Sequence, residues 1–243
     1  MHSGDAYLHA IGKATNHAVL SANEAQQLAK ALRADSRDYF QSAAVSFVDA
    51  LRSIEAGFYS WAAVKLYYSV FYALRSRLAL DGDCIYYVVR SPRLLCARPG
   101  SATAKLSGNT HKAVLSRFQD THSGDYFLSQ EIGGQPPLDW FIGRREQTNY
   151  TDARFCEPGT PDHFRFAAQT SRRKMIIAYY SDDVYVFDED HAMVAFPFKL
   201  LRELRTALAT HHVAPLVTAE SEFLKRVVKD RSGHLPSLDV ILS

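Results

Sequence analysis

Cysteine is scarce in this chain: Cys84, Cys96 and Cys156 are the only three in 243 residues, and no two form a C-x-x-C pair. An odd number at such spacings supports neither a disulfide framework nor a cysteine zinc site, and it fits reduced thiols in a cytoplasmic protein. Long apolar runs are missing too. The longest, such as Met175 to Tyr180, are short and flanked by charge, well below a bilayer span. The first residues include His2 and Asp5 and no apolar stretch of the signal-peptide kind, so neither a membrane nor secretion is expected. An excess of one charge is also absent, with 28 Lys and Arg against 26 Asp and Glu. A net charge of +2 neither demands nucleic acid nor excludes it, because local patches decide. There is no P-loop, no Rossmann glycine pattern and no nucleophile elbow. His211-His212 has no third ligand at a convincing spacing, so no metal and no cofactor are expected.

What is present is ample apolar material. Hydrophobic residues make up 47% of the chain and charged residues an ordinary 22%, enough for a sizeable core and unlike a disordered composition. The length fits one large domain, or one domain with an appendage.

Periodicity predicts a mainly α fold. Ser21-Ala22-Asn23-Glu24 reads as a capping box opening a short helix through Leu32. Ala34-Asp35-Ser36 is expected to break that helix and cap the next, from about Arg37 to Ala56. There Phe40, Ala43, Phe47, Leu51 and Ile54 recur at intervals of three and four and form one apolar face, and Gly57 stops the run. A second long helix, about Ser60 to Leu80, is apolar nearly all round and is therefore expected at the centre. Cys84 to Val89 looks β-like and is followed by a basic loop holding Arg90, Arg93 and Arg98. Asn109 or Thr110 caps a helix from near His111, and Leu138 to about Tyr150 reads as another. Asp162 can cap a helix from His163 to about Tyr180. Val184 to Phe187 and Met193 to Phe196 flank Asp188-Glu189-Asp190, the pattern of a small β-hairpin. Pro197 is expected to open a helix carrying Leu200, Leu201, Leu204 and Leu208, and a last helix covers about Ala219 to Asp230.

Three segments, taken in order, carry a resemblance. The first is Ser60-Trp61-Ala62-Ala63-Val64-Lys65-Leu66-Tyr67-Tyr68-Ser69-Val70-Phe71-Tyr72, where an aromatic pair precedes a small residue and further aromatics. The second is Thr110-His111-Lys112-Ala113-Val114-Leu115, with Phe118 following. The third is Arg144-Arg145-Glu146-Gln147-Thr148-Asn149-Tyr150. In this order they resemble the HEPN superfamily over roughly residues 36–155, just under half the chain. The resemblance implies a HEPN-like helical bundle over 36–155, preceded by an N-terminal helical extension over 1–35. A C-terminal region with extra helices and the hairpin, 156–243, packs on the bundle.

HEPN domains commonly dimerise, and many are metal-independent endoribonucleases of prokaryotic toxin–antitoxin and antiviral defence systems, while others only bind RNA or a partner protein. The active ones use Arg, four to six residues, then His. The imidazole takes a proton from a ribose 2′-hydroxyl and the guanidinium stabilises charge on the phosphate. Here Tyr150 stands where His is expected after Arg145, and a phenol with an ordinary pKa of about 10 is a poor base at neutral pH. The motif is therefore degenerate, with Arg144, Arg145, Asn149 and Tyr150 as the candidate cluster.

The resemblance implies a HEPN-like component of a defence or toxin-type system that binds RNA, another protein subunit of that system, or both. A homodimer fits the same resemblance. The first alternative is an atypical metal-independent endoribonuclease, with Tyr150 or a histidine brought close by folding as the proton carrier. The second is a purely structural helical subunit. Arg117 with His122, and Arg205 with His211 or His212, also match the Arg–His spacing, as short motifs do by chance. Arg90, Arg93 and Arg98, with Arg172, Arg173 and Lys174, are candidate RNA-backbone contacts, and solvated surface charge is the plainer reading. His111 is weighed as a general base against a role as a helix-start residue. The aromatics of residues 67–72 are weighed for base stacking against packing in the core.

Overall fold

The computed structural model of the protein describes residues 2–182 and 186–243. Its frame is a pair of long helices, α2 (Ala22–Glu55) and α3 (Tyr59–Leu80), preceded by α1 (Ser3–Ala10). The capping box that opens α2 forms as its sequence predicts: Glu24 N–H donates to the Ser21 hydroxyl at 3.3 Å, and Ser21 N–H to the Glu24 carboxylate at 2.7 Å. Rising positions on α2 meet falling ones on α3, so the pair is antiparallel. The Ser36 hydroxyl donates to the Ser76 carbonyl (2.7 Å), the Ser69 hydroxyl to the Ala43 carbonyl (2.9 Å), and Lys65 to the Ser53 hydroxyl (2.9 Å).

The break expected at Ala34-Asp35-Ser36 does not occur, and α2 runs unbroken through the expected boundary between residues 35 and 36. Local side-chain bonds to the backbone usually make Asp and Ser helix enders. Here both side chains are taken by other elements. Asp35 accepts the backbone N–H groups of Ser3 (2.5 Å) and Gly4 (2.8 Å), and so caps α1 from the side, while Ser36 and Ser76 exchange bonds across the helix pair.

A three-stranded antiparallel sheet follows: β1 (Asp83–Val88), β2 (Ser91–Cys96) and β3 (Ala104–Lys105), in the order β1-β2-β3. Asp83 pairs with Cys96 and Val88 with Ser91, which leaves a two-residue turn of Val89 and Arg90. Both turn residues have positive φ, 47° and 65°, the twist that two-residue hairpins favour. No Asn-Gly or Asp-Gly marks that turn, and the expected basic loop is in part this hairpin, with Arg90 in its turn, Arg93 inside β2 and Arg98 beyond it.

The remaining elements among the described residues are helical: α4 (Thr110–Thr121), α5 (Pro137–Glu146), a π-helical turn (Gln147–Thr151), a 3-10 turn (Asp162–Phe164), α6 (Arg165–Gln169), α7 (Arg172–Ser181), α8 (Glu189–Thr210), α9 (Thr218–Val228), a second 3-10 turn (Pro236–Leu238) and α10 (Asp239–Leu242). Asn109 caps α4 through Lys112 N–H (3.0 Å). The single helix expected from His163 to Tyr180 is two helices, because Ser171 caps a new start by accepting Lys174 N–H. The expected hairpin is overturned at Met193–Phe196, which lies inside α8 with every residue buried, and Asp183–Tyr185 lie outside the described residues. Nor does Pro197 open a helix; it sits within α8, two turns after the start. Continuous burial over residues 192–201 explains the difference, since a helical stretch enclosed on all sides has no polar face to mark its period.

One large apolar core joins α2, α3, α4, α5, α7, α8, α9 and α10, with Phe47, Phe141, Phe196 and Phe198 near its centre. A smaller one lies between α1, the start of α2 and the sheet, around Leu8, Leu28, Tyr86 and Leu95. Among the described residues, no helix is long and apolar enough to cross a membrane.

Candidate functional site

The third segment of the resemblance ends α5. Arg145 lies one residue before the helix end, and the π-helical turn that follows carries Tyr150 back beneath it. Arg145 Nη2 donates to the Tyr150 hydroxyl at 3.2 Å, and the guanidinium lies 5.1 Å from the Tyr150 ring centre and 5.5 Å from that of Tyr67 on α3. Arg145 is thus held by ring faces and a phenol, and among the described residues no backbone carbonyl bonds it.

A histidine from another helix lines the same cleft as Arg145. His111, in the first turn of α4, has Nδ1 at 2.8 Å from the Tyr67 hydroxyl, and its ring centre lies 4.4 Å from Phe71 and 5.8 Å from Tyr68. Tyr67, His111, Lys112, Asp139, Arg145 and Glu146 line one cleft of about 310 Å³ between α3, α4 and α5. Lys112 and Arg145 supply its positive charge, and Asp139 and Glu146 oppose it.

Burial pushes the Tyr67 hydroxyl up to about 12 despite the pull of Arg145, so it is a neutral phenol at pH 7. Burial, and then the positive charges of Arg145 and Arg75, hold His111 below the ordinary histidine value, so its ring is neutral as well. Their contact admits two proton arrangements. If the phenol donates to Nδ1, the ring proton is on Nε2, a donor to a bound oxyanion. If Nδ1 carries the proton and donates to the phenol oxygen, Nε2 keeps a lone pair and is a base.

The other candidates fall into place around this. Arg144 stacks over Trp140 (5.4 Å) and bonds Gln147 (3.3 Å), which makes it a fixture of α5. Asn149 is exposed, and Tyr150 is 72% exposed. The six candidate backbone contacts do not form one surface strip. Arg90 and Arg98 are exposed beside the sheet, and Arg93 is tied to Asn16 (2.7 Å). On α7, Arg172 is buried against Glu55 (3.0 Å), Arg173 is held by Asp230 and by the carbonyls of Gly233 and His234, and Lys174 is exposed. The chance Arg–His pairs separate as well. Arg117 grips Asp83 with two bonds (2.6 and 3.1 Å), His122 lies against Asp81 (3.0 Å), and Arg205 binds the Ser243 carbonyl (2.7 Å).

Nothing in the sequence marks Lys112 as a site residue, and Tyr67 is weighed there between base stacking and core packing. Tyr67 is indeed 2% exposed, yet its hydroxyl end reaches the cleft wall. Compared with known protein families, curated proteins and solved structures, the chain shows no match.

Proposed function

We propose that this protein is a HEPN-like component of a prokaryotic defence or toxin-type system that binds RNA at the Arg145–His111 cleft. The observation that carries the reading is the meeting of Arg145 from α5 with His111 and Lys112 from α4 in one cleft. That places a guanidinium, an ammonium and an imidazole around one space, the donor set that suits a phosphodiester. Asp139 and Glu146 on the same cleft temper its pull, so binding is expected to be modest and salt-sensitive. The resemblance adds a protein subunit of the same system or a second copy of this chain as partner. Trp61 and Phe58, about half exposed, with Phe155 edge-on to Trp61 at 5.5 Å, offer such a partner an aromatic patch.

A second reading, metal-independent cleavage, is favoured by one observation: His111 is neutral and bonded at Nδ1. With the proton on Nδ1, Nε2 takes the proton of a ribose 2′-hydroxyl, and the 2′-oxygen attacks phosphorus. The bond from phosphorus to the 5′-oxygen then breaks, and that oxygen takes a proton from water. A 2′,3′-cyclic phosphate and a 5′-hydroxyl end result, with Arg145 beside the charged phosphoryl oxygens.

The test is incubation of the purified protein with total RNA in chelator, alongside Arg145→Ala, His111→Ala and Tyr150→Phe, with binding followed by fluorescence anisotropy. Binding lost in Arg145→Ala and retained in Tyr150→Phe is expected. Chelator-resistant cleavage lost in His111→Ala would establish the second reading. RNA affinity untouched by Arg145→Ala would remove the first.

A further inference from the structure

A larger cleft lies elsewhere and uses none of Arg145, His111 or Lys112. It encloses about 1090 Å³ between the C-terminal turn of α2, the α6–α7 junction and residues 229–232. Its floor is apolar, with Leu51, Ile54, Met175 and Tyr59. Its walls are rich in donors. α7 begins there: Ser171 caps it, and Arg172 and Arg173 occupy the first two positions, whose amides have no acceptor within the helix.

Arg172 adds an independent observation. It is only 9% exposed, its Nη1 donates to the Glu55 carboxylate at 3.0 Å, and its buried Nε has no partner. The guanidinium thus uses part of its fork on one half-exposed carboxylate, and the planar fork suits an oxyanion. Lys229 and Arg231, both exposed, line the same cleft, and Arg52 stands at its edge. Arg173 is held through Nε and Nη2 by Asp230 and two carbonyls and serves as scaffold.

We propose that this cleft binds a phosphate monoester carried on an aromatic body, as in a nucleoside monophosphate or a 5′-phosphorylated RNA end. The phosphate lies at the start of α7, where it displaces Glu55 from Arg172 and faces Lys229 and Arg231. The ring lies on the floor beside Tyr59. The volume is ample for one nucleotide, since small-molecule sites commonly span roughly 300–1,000 Å³.

The test is isothermal titration of the full chain with AMP, with inorganic phosphate, and with one short oligoribonucleotide carrying either a 5′-phosphate or a 5′-hydroxyl. Wild type is compared with Glu55→Gln, Lys229→Glu and Arg231→Glu, the last two being exposed positions where folding is retained. Wild type should bind AMP at one site, and each charge reversal should weaken it about tenfold. Glu55→Gln, which removes the internal competitor, should tighten AMP about fivefold and enlarge the AMP-induced rise in Tm. A preference for the 5′-phosphorylated oligonucleotide over AMP names an RNA end as the source, and equal affinity names the free nucleotide. No AMP or phosphorylated-end binding by wild type or Glu55→Gln overturns the proposal, and so does binding that ignores all three substitutions. Neither result bears on the 5′-hydroxyl oligonucleotide at the Arg145 cleft, which Arg145→Ala reports separately.

Discussion

The Tyr67 hydroxyl and His111 Nδ1 lie 2.8 Å apart, with Arg145 packed over the same tyrosine ring. The three side chains come from three helices, and the Arg145 charge pulls both the Tyr67 phenol and the His111 ring toward lower pKa. Because the Arg145 charge helps to hold His111 below its ordinary value, Arg145→Ala should move the His111 titration upward in an NMR pH series. An unmoved titration would mean that the guanidinium does not face the ring in solution.

Glu146 lines the cleft beside Arg145 and is exposed. Glu146→Gln removes a charge that repels phosphate, so RNA affinity should rise by about three- to tenfold at low salt and the gain should shrink as salt increases. Anisotropy titrations at two ionic strengths read this directly, and a loss of affinity would argue that the carboxylate itself contacts RNA.

Asp35 accepts the first two amides of α1 in a buried setting. Asp35→Ala leaves those donors unsatisfied and should cost about 1–3 kcal/mol by urea denaturation, with amide exchange rising first in α1. Gly4→Ala acts on the same contact, since a Cβ there would meet Leu32 at 2.8 Å and Asp35 at 3.1 Å.

His163 packs against Trp140 and Phe164, and burial, assisted by Arg144, lowers its pKa to about 4. The unfolded chain takes that proton near the ordinary value of about 6.5, while the folded chain refuses it until about 4. Stability from this group is therefore full above about pH 6.5 and is lost as pH falls through that window, by about 3 kcal/mol in all. His163→Gln should flatten the change in urea midpoint between neutral pH and about pH 5.

Arg117 and Asp83 form a two-bond pair with Asp83 8% exposed. Removing one partner strands a buried charge, and Arg117→Ala should destabilise by about 3–5 kcal/mol. His122→Ala should cost far less, which separates this reading from any joint role of Arg117 and His122.

The amphipathic repeat of the second half of α2, the all-round apolar character of α3, the Ser21 box and the Asn109 cap were legible in the sequence because each is set by neighbours within a few turns. What escaped was set by distant partners. Asp35 looks like a helix ender until α1 arrives to use it, and Met193–Phe196 looks like a strand until burial on every side is known. The candidate cleft was half legible. The Arg145 segment stood out, but the histidine that shares its cleft comes from α4, and no fixed spacing joins residues that meet only through the packing of three helices.

α2, at 34 residues, is about 50 Å long and walls both apolar cores, with Leu28 and Leu32 in the smaller and Phe40 to Ile54 in the larger. It acts as a single beam. For either core to melt alone, the beam would have to fracture near Ser36, where two hydrogen bonds lash it to Ser76. The two cores should therefore unfold as one cooperative unit, with a single calorimetric transition.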